Sequence, residues 1–241
     1  MKMNLLFMYV LFVLFSQSCD DDMHEYRSGD LSVRIDEGSG WLHDYPLFLG
    51  ISKKNPPQVA IWVEDTLGNY LSTVYVSKKT ATQGWVGDGR GKRRPESLPH
   101  WSHSRGVCYS DGLYCPTKKE PLTDGLTGAT PRSGFNVRLL PKGALRRFRV
   151  KVEVNHSTDF NERYSKSLPE SDMCYSGGSE GSGQPSLVYA ADVDLDSPSR
   201  LFVASLVGHG HPSGANGSVS TDISGITSAL SIVKQIIVEV K

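Results

Sequence analysis

Apolar and polar residues alternate with a period of two along most of the chain, a pattern that predicts β-strands. Leu31, Val33 and Ile35 alternate with Ser32, Arg34 and Asp36. Val59, Ile61 and Val63 fall on one face of the next strand, with Ala60, Trp62 and Glu64 on the other. A turn at residues 65–69 and a β-rich return over residues 70–76 make this a hairpin with large side chains on both faces, as a central sheet position requires. Phe148, Val150, Val152 and Val154 alternate with Arg149, Lys151 and Glu153. That spacing predicts one packed face and one solvated face. Residues 187–195, 201–207 and 232–240 complete the set. No helical stripe is sustained for twelve residues, although residues 222–232 can hold a short helix capped by Asp222. The fold class is all-β, and the strand set predicts a β-sandwich.

Two regions break the rhythm. Residues 77–135 are crowded with Gly, Pro, Ser and charge, and so long a structureless connection inside a compact domain points to function. Residues 171–186 (SDMCYSGGSEGSGQPS) read as a flexible surface loop. No repeat or linker divides the chain, so residues 30–241 are expected to form a single domain carrying a long loop-rich insertion.

The N-terminus adds an address. Lys2 is followed by an unbroken apolar run from Leu5 to Phe15. This suits the core of an export signal and falls short of the ~20 residues a spanning helix needs. Ser16-Gln17-Ser18 and then Cys19 resemble a bacterial lipoprotein signal, in which the Cys19 thiol is lipidated, although Ser16 stands where a Leu-like residue is usual. A plain cleaved signal or an uncleaved anchor is the alternative. Asp20-Asp21-Asp22 cannot enter hydrocarbon, so the chain must leave the membrane there. The acidic run is also similar to the surface-export signal of Bacteroidetes lipoproteins. The expectation is a signal peptide over 1–18, an acidic tether over 19–29, and an outer-membrane lipid anchor at Cys19, with the domain at the cell surface or on the periplasmic face.

Composition narrows the partners. The chain balances 26 Lys+Arg against 26 Asp+Glu, and 38% of its residues are hydrophobic. Disorder is a poor description of such a chain, and a nucleic-acid partner is not expected. The charge is nonetheless uneven. Residues 77–105 hold seven Lys and Arg against Asp88 and Glu96. Arg90, Arg93 and Arg94 lie between Trp85 and Trp101, and guanidinium groups beside aromatic rings suit anionic or sugar ligands. A solvated basic loop facing an anionic outer surface is the plainer reading.

The hairpin PQVAIWVEDTLGNYLSTVYV, then Leu98-Pro99-His100-Trp101, then DGLTGATPRSG, come in a familiar order. With the strand at 148–154 they resemble the DUF2271 family of exported bacterial proteins, over roughly residues 57–155. That pattern has a V-A-V-W-I-E-D strand, a Thr-rich return strand, a Trp-containing middle and a D-A-[VL]-[ST]-G-A-T segment. The resemblance implies an immunoglobulin-like β-sandwich with no established activity. The C-terminal part, with GHGHPSG, departs from the commonest form of the pattern.

Four further features bear on chemistry. Asp124, Thr127 and Thr130 are also similar to a covalent flavin-attachment motif, but Arg132 occupies the acceptor position and Ser133 is the next hydroxyl. A plain turn into the strand around Phe135 accounts for the same residues. His209 and His211 are two apart, so an extended segment would present both on one face, and His100 and His103 flank Trp101. If the two pairs met, they could bind Zn²⁺ or Cu²⁺; otherwise they are hydrogen-bonded turn residues. Cys108 and Cys115 could close a small disulfide loop outside the cytoplasm, stabilising by about 2–3 kcal/mol, although Cys174 could pair with either. Gly177-Gly-Ser179-Glu-Gly181 matches a nucleophile-elbow expression but lies in low-complexity loop. No acid/base pair for a hydrolase can be named, and no cofactor is assigned. The leading expectation is a non-enzymatic envelope module that binds a protein or carbohydrate through residues 77–135. A metal- or flavin-associated redox accessory factor and a β-sandwich hydrolase are the alternatives.

Overall fold

The computed structural model describes residues 31–46, 51–85, 93–122, 125–139 and 145–241. The signal segment, Cys19, the tether, Arg90 and Asp124 lie outside the described residues. The chain is mostly β. In order it forms β1 (Leu31–Glu37), β2 (His43–Pro46), β3 (Ser52–Asn55), β4 (Gln58–Glu64), β5 (Tyr70–Ser77), α1 (Lys78–Thr82) and α2 (Pro99–Ser104). Then follow β6 (Leu126–Gly128), β7 (Phe135–Leu139), β8 (Arg147–Asn155), β9 (Leu187–Asp194), β10 (Leu201–Val203), β11 (Ser205–Gly210), β12 (Val219–Ser220) and β13 (Val233–Val240).

The strands assemble into a four-stranded sheet in the order β10-β13-β1-β7 and a seven-stranded sheet in the order β12-β11-β9-β8-β4-β5-β6. The short hairpin β2–β3, unmarked by the alternation, stands apart as its own ladder. Pairing is antiparallel except where β6 joins β5 in parallel. Register follows the alternation. Ile61 lies opposite Val152 and Val63 opposite Val150, while in the other sheet Val33 lies opposite Val238. All six are buried in one core, which the inward faces of both sheets share with Phe148, Leu187 and Ile236. Because side chains alternate, every second residue of β4 and β8 must point away from that core.

That outer face is solvated at Arg147 and Arg149, as the alternation predicts, but it is covered at Lys151, Glu153 and Asn155, which corrects the reading of β8 over its second half. The segment after β5 folds back over it. Trp62, Ala60 and Val76 of the sheet pack with Ala81, Leu98, Trp101 and Leu122 in a second apolar cluster. The described residues between 77 and 122 are therefore a roof containing α1 and α2 rather than a structureless loop, and β6 beyond them joins the sheet edge. Two smaller expectations also change. Residues 201–207 split at Ala204, whose N–H donates to Ile236 O at 2.9 Å, so that β10 and β11 serve different sheets. Gly208, at the irregular end of the β9–β11 pairing, has φ +154° and packs so closely on Ser220 that a Cβ would lie 2.1 Å from its carbonyl oxygen. Asp222 caps no helix: its carboxylate accepts from Ser224 N–H at 3.0 Å, and only a 3₁₀ turn at Ser228–Ser231 follows.

Candidate ligand-binding site

The roof is anchored by polar groups of the sheet beneath it. The first turn of α2 has no side-chain cap of its own. Glu153, fully buried on β8, supplies one from below. Its Oε1 accepts from His100 N–H at 3.2 Å and from Ser186 Oγ at 2.5 Å, and its Oε2 accepts from Trp101 N–H at 2.7 Å. Burial pushes this carboxyl up to about 7, against the opposing pull of those donors and Lys151. Two residues earlier, Lys151 Nζ sits 3.1 Å from the buried Glu64 carboxylate and 2.8 Å from His100 Nε2. His100 Nδ1 lies 2.7 Å from Gly217 O. A lysine can only donate and a carbonyl can only accept, so the imidazole is neutral with its proton on Nδ1. Burial, and then Lys151, hold the His100 pKa below its ordinary value. Trp62 Nε1 donates to Glu64 at 2.8 Å and completes the layer.

Beside this anchored block, residues 93–113 and 170–180 form the walls of an open cleft of about 540 Å³. Its lining includes Arg93, Arg94, Glu96, Asp111, Tyr175 and Glu180. The two arginines are mostly covered, with side chains 13% and 7% exposed, whereas Asp111 and Glu180 are 47% and 57% exposed. Arg93 lies over the Tyr109 ring at 5.0 Å and pairs with Asp111. Arg94 lies over Trp85 at 4.7 Å, donates to Ser157 Oγ at 3.3 Å and faces Glu180 at 3.8 Å. Tyr45 OH donates to Glu180 at 3.1 Å, and Tyr175 OH donates to Glu170 at 3.3 Å. The arginines act as nearly buried counter-ions, and the charged groups that reach solvent in the cleft are carboxylates, set with Tyr175 among Pro95, Leu113 and Gly177. Such a surface offers hydrogen-bond acceptors already fixed in orientation.

The structure thus brings Arg93, Arg94 and Trp85 together but gives them a different part from the one expected. The ring faces are occupied by the protein's own cations: Arg94 covers Trp85, and Arg105 lies 5.1 Å over Trp101. Trp101 is wholly buried and donates to Thr73 Oγ1 at 3.0 Å, so it presents no stacking surface to a ligand. The histidines are engaged separately. His103 Nδ1 bonds Pro99 O at 2.9 Å and stacks on Tyr114, His209 Nδ1 bonds Gly210 O at 2.7 Å, and His211 Nδ1 bonds Ser213 Oγ at 3.1 Å. Burial, and then the nearby charges of His209 and His103, keep His211 below its usual pKa, so the pairs do approach each other. Among the described residues no group of three or more His, Cys, Asp or Glu is arranged to hold a metal.

In the flavin-like turn, Thr130 Oγ1 is engaged by Ser77 Oγ at 2.7 Å, while Thr127 and Ser133 are exposed. Cys108 and Cys115 are free thiols and not a disulfide. The loop between them is closed instead by Tyr109 N–H to Leu113 O and Gly112 N–H to Tyr109 O, both 2.9 Å. Burial pushes the Cys115 thiol up to about 11.

Lys151 and Glu153 escape sequence reading because alternation assigns them to a wet face, and Glu64, on the face of Trp62, shows no sign in the sequence of the lysine it pairs with. Glu170, Tyr175 and Glu180 sit in low-complexity loop and carry no local signal at all. Comparisons with family models, with curated proteins and with solved structures give no match.

Proposed function

We propose that this protein is a non-enzymatic binding module of the cell envelope, tethered through a lipid on Cys19, which takes a hydroxyl-rich ligand in the cleft between residues 93–113 and 170–180. The observation that carries the reading is the cleft itself. It is of ligand size, and oriented carboxylates and Tyr175 stand in it beside the apolar surface of Pro95 and Leu113, as in a sugar site that takes hydroxyls and ring C–H groups together. Hydroxyl groups donate to such carboxylates without bringing a charge that must be desolvated. The export signal, the acidic residues after Cys19 and the resemblance to DUF2271 over residues 57–155 support the envelope location and an immunoglobulin-like arrangement of the two sheets.

The test is retention of the purified protein on a panel of immobilised saccharides. Wild type should be retained by a subset, and Tyr175→Ala should weaken that retention at least fivefold with an unchanged urea midpoint. Retention on no saccharide, or equal retention of Tyr175→Ala, removes the cleft from consideration. Mass analysis of protein extracted from membranes tests the anchor, since Cys19→Ser should lose the lipid mass and the membrane association together.

A further inference from the structure

Arg94 lines one rim of the cleft, and two exposed lysines, Lys53 and Lys79, stand on elements tied to that rim. Arg94 is tied to the end of α1, because Gln83 Oε1 accepts from both Arg94 N–H and Trp85 Nε1 at 2.9 Å. This brings Lys79 of α1 to the same corner. On the other side, Tyr45 of β2 reaches Glu180, the carboxylate that faces Arg94. Lys53 of β3 is the cross-strand partner of Tyr45 in the β2–β3 ladder, so the two share a face. Lys53 and Lys79 are exposed, and among the described residues neither has a carboxylate partner. The hairpin's own Asp44 is 3.8 Å from Lys54 instead. The crowding has an electrostatic signature. Burial, and then the positive charges of Arg94 and Lys53, hold the Lys79 ammonium below its ordinary pKa. Glu180 answers only one of these three positive charges, and the remaining excess raises the energy of the free protein and favours any anion that settles there.

We infer that Lys53, Lys79 and Arg94 form an anion subsite at the rim of the cleft, and that the ligand is an acidic saccharide whose carboxylate lies there while its hydroxyls meet Asp111, Glu170 and Glu180. The inference rests on the cleft reading above and deepens it. The two ends of the site differ in sign: cations gather at the rim, and acceptors line the cavity beyond Arg94. A neutral sugar leaves the rim uncompensated, and a compact anion such as phosphate leaves the acceptors without donors. A sugar acid supplies both.

The experiment compares tetragalacturonate, its neutral methyl ester and anionic phosphatidylglycerol vesicles as probes of the intact protein by titration calorimetry. Tetragalacturonate should bind more tightly than the ester. Lys53→Gln/Lys79→Gln should weaken tetragalacturonate about tenfold or more, leave the ester unchanged, and keep the wild-type urea midpoint. In a second readout, the ¹³C-methyl resonance of reductively methylated Lys79 should titrate at higher pH when sulfate is added, and at higher pH in Lys53→Gln. Equal binding of acid and ester, or no loss in the double variant, overturns the anion subsite and leaves the cleft reading standing. Binding of neither oligosaccharide overturns the saccharide assignment. Binding to vesicles alone, lost in the double variant, transfers the subsite to a membrane surface and also overturns it.

Discussion

The inner and outer faces of β8 show two ways of burying a strand. On the inner face, Phe148, Val150, Val152 and Val154 enter a core that asks only for apolar volume. On the outer face, Lys151, Glu153 and Asn155 are also covered, by a roof whose apolar contacts are with β4 and β5 rather than with β8. The apolar face is specified by area and shape, and many substitutions of similar volume would serve it. The polar face is specified by partners, because each buried group must find its own. The seven-stranded sheet is therefore a half-share in a core on one side and a docking template on the other. The cleft exists because that template holds residues 93–105 in place.

The sharpest break in this comparison is Trp101→Ala. It removes the roof's tryptophan from the second apolar cluster together with its bond to Thr73, and should cost about 4 kcal/mol in urea unfolding. Ile61→Ala in the inner core should cost about 3 kcal/mol without disturbing the cleft. If Trp101→Ala is nearly silent, the roof is not docked as described.

Lys151→Met tests partner dependence directly. It strands the buried Glu64 carboxylate and should cost about 3 kcal/mol, while Glu64→Gln/Lys151→Met should recover most of the loss. Failure of the double variant to recover would mean that packing, not charge pairing, sets the cost.

The pH dependence separates the two faces. Glu153 points outward and titrates near 7 when folded against 4.5 ordinarily. Its stabilisation is therefore fully present below 4.5 and lost as pH rises through 7. His156, three residues on and pointing inward, bonds Gly40 O at 2.9 Å and is pushed by burial down to about 4 from 6.5. Its stabilisation is present above 6.5 and lost as pH falls through 4. Each contributes about 3 kcal/mol, with opposite sign, so the pair nearly cancels and stability from these two groups should be flat between pH 4.5 and 6.5. Glu153→Gln should make the protein lose stability on acidification, and His156→Gln should make it gain. Parallel pH profiles for the two variants would refute the assignment.

Ser77→Ala should give the smallest effect, about 1 kcal/mol in the same unfolding assay. It leaves Val59 N–H without the 2.7 Å bond from its amide to Ser77 Oγ, and it frees Thr130. A clearly larger loss would show that the β5–β6 edge depends on this hydroxyl.

Alternation alone located β1, β4, β5, β8, β9 and β13, because a period of two is a backbone property and needs no partner to be read. It misjudged Lys151 and Glu153, because polarity in a sequence is the same whether water or a neighbouring segment satisfies it. The basic run around Arg93 and Arg94 was visible as composition. The groups that gather around it were not, because Lys53 lies forty-one positions before Arg94, and Glu180 eighty-six positions after it. Trp101 likewise looked free beside polar residues until Thr73, Glu153 and Arg105 were placed around it.

By itself, then, the sequence determined the six long strands β1, β4, β5, β8, β9 and β13, their inward faces and the apolar segment before Cys19, since these depend on residue type and on spacing along one stretch of chain. Only the tertiary structure decided that the described residues between 77 and 122 form a roof, that the arginines serve as internal counter-ions and that a cleft opens beside them. Those features come from long-range pairings, and a buried charge takes its partner from wherever the chain happens to return.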